Sequence, residues 1–254
     1  MSDNITLGFV EVSINNKIAT ITFSHPASNS FPSFLLQQMV LKLNQLSENK
    51  DVNVIVLQSE NATFCAGASF DELLSISNLE DGTLFFSGFA NVLNAMRNCA
   101  KLIIGRVQGK AVGGGVGLIA ACDYVIATEN SAVKLSEIAI GIGAFVIEPA
   151  ITRKVGVAAF AEMSLAPKDW KSATWALEKG LFSKVVATMD QLKDEVNIKA
   201  TELASYNPQA LGEMKKVMWQ KTDHWNELLL ERAAISGNLV LSDFTKKALE
   251  LFKK

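Results

Sequence analysis

The chain has 254 residues, 49% of them hydrophobic, and a formal net charge of −2. This length and apolar content suit one main α/β domain with a large core. The chain has no stripe of Lys and Arg, which argues against nucleic acid as a partner. Glycines or charges interrupt the longest apolar segments, so we expect no membrane span. The three cysteines form no CxxC pair and follow no signal peptide, which predicts a cytoplasmic protein.

Strands and helices alternate in the first two thirds of the chain. Alternating apolar residues at 9–14 and 18–23 flank an Asn-Asn-Lys turn and predict a hairpin. The elements expected next are a helix from residue 34 to about 46, a strand over 54–57, a helix over 85–96, and strands over 102–107 and 124–127. This order predicts a largely parallel sheet with helices packed on it.

The last third of the chain is expected to be almost entirely helical after residue 156. Amphipathic runs cover 189–205, 209–220 and 239–253. No linker separates these runs from the preceding residues, so the helices are expected to pack on the first part of the chain.

Glycines are concentrated just after the strand at 102–107. Residues 113–115 are all glycine and Gly117 follows. The stretch 115–120 matches the pattern G-x-G-x-x-A of dinucleotide-binding folds, with Glu137 about 20 residues further on. Such folds need a full helix after the glycines, and too few residues separate these glycines from the next strand, so the match is weak. The alternative is a sharp turn that presents free backbone N–H groups at the start of a short helix.

A second loop of small residues, 61–70, follows the strand at 54–57 and leaves the Ala68 N–H unshielded. Loops after neighbouring parallel strands meet at the carboxyl edge of a sheet, and two converging N–H groups form an oxyanion hole. The other interpretation is that both loops are tight turns that need small residues only for steric reasons.

Three stretches then resemble the enoyl-CoA hydratase/isomerase, or crotonase, superfamily: FCAGASFDEL (64–73), GKAVGGGVGLIAACDYVIA (109–127) and KLSEIAIGIG (134–143). The resemblance covers nearly the whole chain. It implies an α/β fold built as a crotonase-like spiral of ββα units with a C-terminal helical region. Residues 1–200 would form the core with an acyl-CoA site, and 201–254 a trimerisation region of a homotrimer or homohexamer. Coenzyme A would enter as part of the thioester substrate, with no separate cofactor and no metal.

The resemblance also assigns roles to residues. The two oxyanion-hole donors fall on Ala68 and Gly114, with Ala66, Gly67 and Gly113 beside them around the substrate. A side chain at Gly113 or Gly114 is expected to block the thioester. The coenzyme A end is assigned to the Ser28-Asn29-Ser30 segment and to Lys253 and Lys254.

Of the two acids that hydratases of the superfamily use, the sequence retains one. Glu137 falls on the second acid position, whereas Gly117 occupies the first. One carboxylate suffices to move a double bond, so an isomerase is favoured over a hydratase. The alternatives are an acyl-CoA-binding homologue that has lost efficient catalysis, or a hydrolase or decarboxylase that uses the same oxyanion hole. Apolar neighbours are expected to desolvate Glu137 and raise its basicity, as suits a catalytic base. The other interpretation is that Glu137 only caps the start of a helix.

Beyond Glu137, an apolar stretch that includes Phe145 is expected to line the acyl pocket. Glu148 is either a substitute for the missing acid or a first-turn charge before Pro149. The two histidines lie far apart, so no metal site is expected. Cys65 is expected to be a small buried residue.

Overall fold

The computed structural model describes residues 7–251. The strands are β1 Phe9–Asn15, β2 Ile18–Ser24, β3 Val54–Ser59, β4 Leu102–Val107, β5 Ala111–Val112, β6 Tyr124–Thr128, β7 Ala132–Lys134, β8 Lys171–Ser172 and β9 Lys184–Val186. The helices are α1 Ser33–Glu48, α2 Phe70–Ser75, α3 Leu79–Asn98, α4 Gly114–Ala121, α5 Glu148–Ser164, α6 Ala173–Glu178, α7 Met189–Ala204, α8 Pro208–Met218, α9 Trp225–Leu239 and α10 Asp243–Leu251, with a 3₁₀ helix at Glu137–Ile140.

The larger sheet has the strand order β1-β2-β3-β4-β6-β9. The hairpin expected at the start is confirmed: β1 and β2 pair antiparallel, and Asn16 and Lys17 in the turn have positive φ angles of 50° and 64°. Such angles at both central residues are typical of a tight hairpin turn. The other neighbours are parallel, as the sequence predicts. Helices cover this sheet, which explains why β3 is buried on both faces.

A second, smaller layer of strand contacts produces the spiral. After β2, β3, β4 and β6, the chain makes a short parallel contact with a neighbouring turn of the spiral and then enters a helix. These contacts are Phe31 with Ala68, Cys65 with Ala111, and β5 with β7. The expected spiral of ββα units is therefore confirmed.

The prediction of an almost entirely helical last third is wrong in part. β9 adds to the edge of the larger sheet beside β6, and β8 pairs with β7. These strands have three and two residues, too few to show a period of two. The run at 239–253 is not one helix, because α9 ends at Leu239 and the Ser242 hydroxyl accepts a hydrogen bond from the Thr245 N–H (3.3 Å) in α10.

The C-terminal helices pack on the same chain's first part, as expected. α9 lies against α3 at a point where Gly82 meets Gly237: a Cβ on Gly82 would lie 2.8 Å from the Gly237 carbonyl oxygen. α10 reaches the 3₁₀ helix, where Thr245 packs against Gly141. Lys253 and Lys254 lie outside the described residues. Within residues 7–251 no helix combines the length and hydropathy that crossing a membrane requires.

Candidate active site

A cavity of about 160 Å³ lies between the loop before α2, the start of α4 and the 3₁₀ helix. It brings together seven of the residues that the sequence assigns to the site: Ala66, Gly67, Ala68, Gly113, Gly114, Glu137 and Phe145. Val146 and Ile147 also line it, as expected for the apolar pocket wall. Loops that follow β3 and β4 and the segment after β7 therefore meet at one place, near the carboxyl edge of the sheet.

The first loop leaves one backbone donor free. In the parallel contact between Phe31 and Ala68, the Phe31 N–H donates to the Gly67 carbonyl (2.8 Å), and the Ser69 N–H donates to the Phe31 carbonyl (3.0 Å). The Ala68 N–H lies between these two bonds and has no acceptor within residues 7–251. Gly67 has a φ of 91°, which a residue with a side chain rarely adopts.

The second free donor comes from the glycine turn. Gly113 precedes α4 with a φ of 52°, and its N–H donates to the Lys134 carbonyl (2.9 Å). Gly114 is the first residue of α4, so its N–H has no partner inside the helix, and the described chain offers it no other acceptor. Two free N–H groups thus border one cavity, which is the chemistry that an oxyanion requires.

The expected reason for the glycines at 113 and 114 needs a correction. A Cβ on Gly113 would lie 2.5 Å from the Oε1 atom of Glu137, and a Cβ on Gly114 would overlap the ring of Phe89. The room left by the missing side chains is therefore filled by the protein's own groups, not only kept for a thioester. Gly113 lets the Glu137 carboxylate approach the turn, and Gly114 lets Phe89 form a wall of the cavity.

Glu137 begins the 3₁₀ helix and is half-buried as a whole, but its Oε2 atom is buried. That oxygen has no hydrogen-bond partner among residues 7–251. Burial raises the pKa of Glu137 to about 7, and the backbone N–H groups of Glu137 and Ser136 offset only part of this effect. The expected rise in basicity is confirmed. Near neutral pH this carboxyl group can both accept and release a proton.

Gly117 does not line the cavity. It lies inside α4, where a Cβ would be 2.5 Å from Cγ2 and 2.9 Å from Cβ of Ile147. Ile147 is 4% exposed, and it lines the cavity itself. An isoleucine side chain therefore covers the position from which a second acid would project.

Two other expected site residues lie outside the cavity. Glu148 lines an adjoining cavity and heads α5, where its Oε1 accepts a hydrogen bond from the Thr152 hydroxyl (2.7 Å). This placement favours the interpretation of Glu148 as a charge in the first turn of α5 over its interpretation as a substitute for the missing acid. Ser28 is exposed, and its carbonyl accepts a hydrogen bond from the Ala66 N–H (3.1 Å). Ser28 thus holds the loop that contains the Ala68 N–H in place, and it does so from a position outside the cavity.

Sequence reasoning missed several residues that line the cavity. Phe86 and Phe89 face it from α3, and Ser236 faces it from α9. The helical spacing of the two phenylalanines is a signal that could have placed them on one face. Ser236 had no such signal, because the sequence did not predict α9. Part of the cavity wall therefore comes from beyond residue 200, although the division of the chain at that point stays a prediction.

Cys65 is buried and free, and burial raises the pKa of its thiol to about 12. The thiol stays protonated at neutral pH, so it fits the expected small buried residue better than a nucleophile. The described residues hold no group of three or more His, Cys, Asp or Glu side chains that could bind a metal ion.

Comparisons with known proteins agree with this geometry. The family model described as "Enoyl-CoA hydratase/isomerase" matches residues 13–249. A probable enoyl-CoA hydratase of Bacillus subtilis (strain 168) is 25% identical over 96% of this chain and 95% of its own. A peroxisomal Delta(3,5)-Delta(2,4)-dienoyl-CoA isomerase of Arabidopsis thaliana is 27% identical over 82% and 79%. The crystal structure of enoyl-CoA hydratase from Bacillus halodurans superposes with a TM-score of 0.88, at 20% identity, over 95% of this chain and 99% of that one. The chain belongs to the enoyl-CoA hydratase/isomerase, or crotonase, family.

Proposed function

We propose that this protein is an enoyl-CoA isomerase, which moves the double bond of an acyl-CoA thioester from the 3 to the 2 position. One observation carries the proposal: among residues 7–251, Glu137 supplies the single carboxylate of the cavity that holds two free backbone N–H groups, and Ile147 covers the position of a second. Proton transfer along a substrate needs one base, whereas addition of water is easiest with two.

In the proposed reaction, the thioester oxygen lies between the N–H groups of Ala68 and Gly114. The Glu137 carboxylate removes a proton from C2, and the electrons pass into the thioester to give a dienolate. The two N–H groups stabilise the negative oxygen, each by about 3 kcal/mol by comparison with other oxyanion holes. Glu137 then delivers a proton to C4, which leaves the double bond between C2 and C3, conjugated with the thioester.

The apolar surroundings support isomerisation over hydration. Phe89 and Ile147 are each 4% exposed, and both line the cavity. Such walls offer a water molecule few hydrogen-bond partners, and a bound water usually has about three. A dienolate next to these walls is therefore expected to be reprotonated by Glu137, and the 2-enoyl product is expected to leave before water adds to its double bond.

The size of the cavity favours a short acyl group. Its volume of about 160 Å³ is close to that of engineered cavities of roughly 150 Å³, which accept a benzene molecule. An acyl group of about six carbons fits such a space. The coenzyme A moiety would extend outward, and its contacts with the Ser28-Asn29-Ser30 segment, Lys253 and Lys254 stay predictions.

The direct test is a set of six-carbon thioesters: 3-enoyl-CoA, 2-enoyl-CoA and 3-hydroxyacyl-CoA. We expect the 3-enoyl compound to be converted to the conjugated 2-enoyl compound, measured by its ultraviolet absorbance. In deuterated water, mass spectrometry should find label at C2 and C4. Glu137→Gln keeps the shape of the side chain and removes the base, so it should lower turnover by about 10²- to 10⁴-fold.

Glu148→Gln is the matched control, because it makes the same change in the adjoining cavity. Deuterium exchange that survives Glu137→Gln and disappears in Glu148→Gln would show that Glu148, and not Glu137, is the base. Faster hydration of the 2-enoyl compound than isomerisation of the 3-enoyl compound by the wild type would contradict the assignment as an isomerase.

A further inference from the structure

A second cavity, which we call the distal cavity, adjoins the one described above. It has a volume of about 210 Å³ and shares Glu137, Gly143, Ala144 and Phe145 with the first. Pockets for small molecules usually begin at roughly 300 Å³, so neither cavity reaches that size alone, whereas the two joined exceed it.

The wall between the two cavities contains one large movable side chain. Phe145 is half-buried, and its ring packs against Gly143. Its neighbours Gly143 and Ala144 are small, and the segment 143–145 belongs to no helix or strand. Rotation of the Phe145 ring would therefore open a passage from Glu137 into the distal cavity without displacing a secondary-structure element.

Polar groups without partners line the distal cavity. Arg232 of α9 is half-buried, and within residues 7–251 no carboxylate lies within 4.0 Å of its guanidinium. Ser164, at the end of α5, has a buried hydroxyl with no hydrogen-bond partner in the described chain. Buried polar groups are normally hydrogen-bonded, so these two donors are available to acceptor oxygens of a ligand.

Two carboxyl groups that line the distal cavity, those of Glu137 and Glu148, oppose an anion there, and Glu148 is the one that the first cavity does not share. Its carboxylate already accepts the Thr152 hydroxyl at 2.7 Å. An anionic group would therefore bind on the Arg232 side, where the planar guanidinium can form two parallel hydrogen bonds to a carboxylate. Removal of the Glu148 charge should strengthen that binding.

We propose that the distal cavity binds a carboxylate at the far end of the acyl group, so that the substrate is the coenzyme A monothioester of an unsaturated dicarboxylic acid. This inference rests on the proposed function, because it places the thioester between Ala68 and Gly114. The chain then passes Glu137, turns Phe145 aside and ends at Arg232 and Ser164.

The test measures binding of two saturated thioesters, which cannot isomerise. Octanoyl-CoA and octanedioyl-CoA, two carbons longer than the acyl group that fills the first cavity, have the same chain length and differ only at the far end, as a methyl group or a carboxylate. By titration calorimetry, the wild type should bind octanedioyl-CoA about tenfold more tightly, the effect of one charge-assisted hydrogen bond. The ratio should fall to about one in Arg232→Gln, and it should rise in Glu148→Gln.

Arg232→Lys guards against a folding defect, because it retains the charge and should retain part of the preference; circular dichroism melting checks each variant. Equal affinity of the wild type for the two thioesters would overturn this inference, and so would a preference that Arg232→Gln leaves unchanged. Either result leaves the isomerase proposal intact, since turnover of 3-hexenoyl-CoA tests that proposal separately. Binding of neither thioester would overturn both proposals.

Discussion

The contact between Gly117 and Ile147 makes a prediction about stability that needs no substrate. Ile147 is 4% exposed and its Cγ2 atom lies 2.5 Å from the point where a Cβ on Gly117 would be. Its β-branched side chain has few alternative rotamers, so it cannot turn away at low cost. We therefore expect Gly117→Ala to be more unfavourable in the wild type than after Ile147 is shortened to alanine, which removes Cγ2 and keeps the Cβ.

The size of the effect follows from opposing contributions. Overpacking of this kind costs about 1–3 kcal/mol, whereas alanine in place of glycine inside a helix gains about 1 kcal/mol. The single variant Gly117→Ala should thus lose about 0–2 kcal/mol of unfolding free energy. Ile147→Ala should lose about 2–5 kcal/mol through the cavity that it leaves. In that background the contact with Cγ2 is gone and the 2.9 Å contact with the Cβ of residue 147 remains, so Gly117→Ala should be close to neutral.

The assay is a double-mutant cycle measured by urea denaturation of the wild type, both single variants and the double variant. We expect a coupling energy of about 1 kcal/mol, with Gly117→Ala less destabilising in the Ile147→Ala background than in the wild type. In thermal melts a chain of this size changes its Tm by about 2–4 °C per kcal/mol. Additive effects of the two substitutions would refute the steric explanation for the glycine at position 117.

Four other predictions follow from the site. Gly114→Val, whose side chain would overlap Phe89, should lower kcat by about 10²-fold or more. The control Lys247→Ala changes an exposed residue and should leave kcat unchanged. Normal kcat in a folded Gly114→Val protein would contradict the assignment of the Gly114 N–H as an oxyanion donor. Because the pKa of Glu137 is raised to about 7, kcat/KM for isomerisation should fall about tenfold per pH unit below pH 7 and level off above it; a profile that is flat from pH 5 to 8 would exclude Glu137 as the base. Because the pKa of Glu137 is raised in the folded state, its ionisation lowers the stability of the fold as the pH rises from the ordinary carboxyl pKa of 4.5 to about 7. Glu137→Gln should therefore raise the Tm more at pH 8 than at pH 5. An equal change in Tm at both pH values would contradict burial of the charge. Light scattering in solution should give three or six subunits, and a monomer at micromolar concentration would contradict the expected assembly.

Much of the larger sheet could be predicted because its strands have a strong local signal. The hairpin and the buried strand at β3 consist of β-branched and alternating apolar residues, and both are present where expected. The free N–H groups of Ala68 and Gly114 were also predictable, because only small residues permit such turns. These features depend on short stretches of chain, so the sequence contains most of the information about them.

The features that the sequence could not reveal depend on contacts between distant residues. Phe89 packs on Gly114 and Ile147 packs on Gly117, and neither pair has a local pattern that links its members. The strand β9 has three residues and forms only because β6 offers it a parallel edge. Arg232 lines the distal cavity because α9 packs on α3, and the sequence did not predict α9.

At the position where the family resemblance predicts a second acid, the chain has Gly117 covered by Ile147, and the proposed isomerase is affected by this at Glu137 in two opposite ways. A neighbouring carboxylate would raise the pKa of Glu137 by repulsion, so its loss removes that effect. The apolar side chain in its place excludes water, and burial is the main cause that raises the pKa to about 7. A lone carboxyl group with an ordinary pKa near 4.5 would be a weak base toward C2, and one with a much higher pKa would hold its proton at neutral pH and leave little free base. A value near 7 suits both halves of a proton transfer by one group. An apolar wall therefore raises the pKa of a single carboxyl group, as a second carboxylate would raise it in a pair. We expect the double variant Gly117→Glu with Ile147→Ala to begin to hydrate 2-enoyl-CoA. Gly117→Glu alone should not, because its side chain overlaps Ile147.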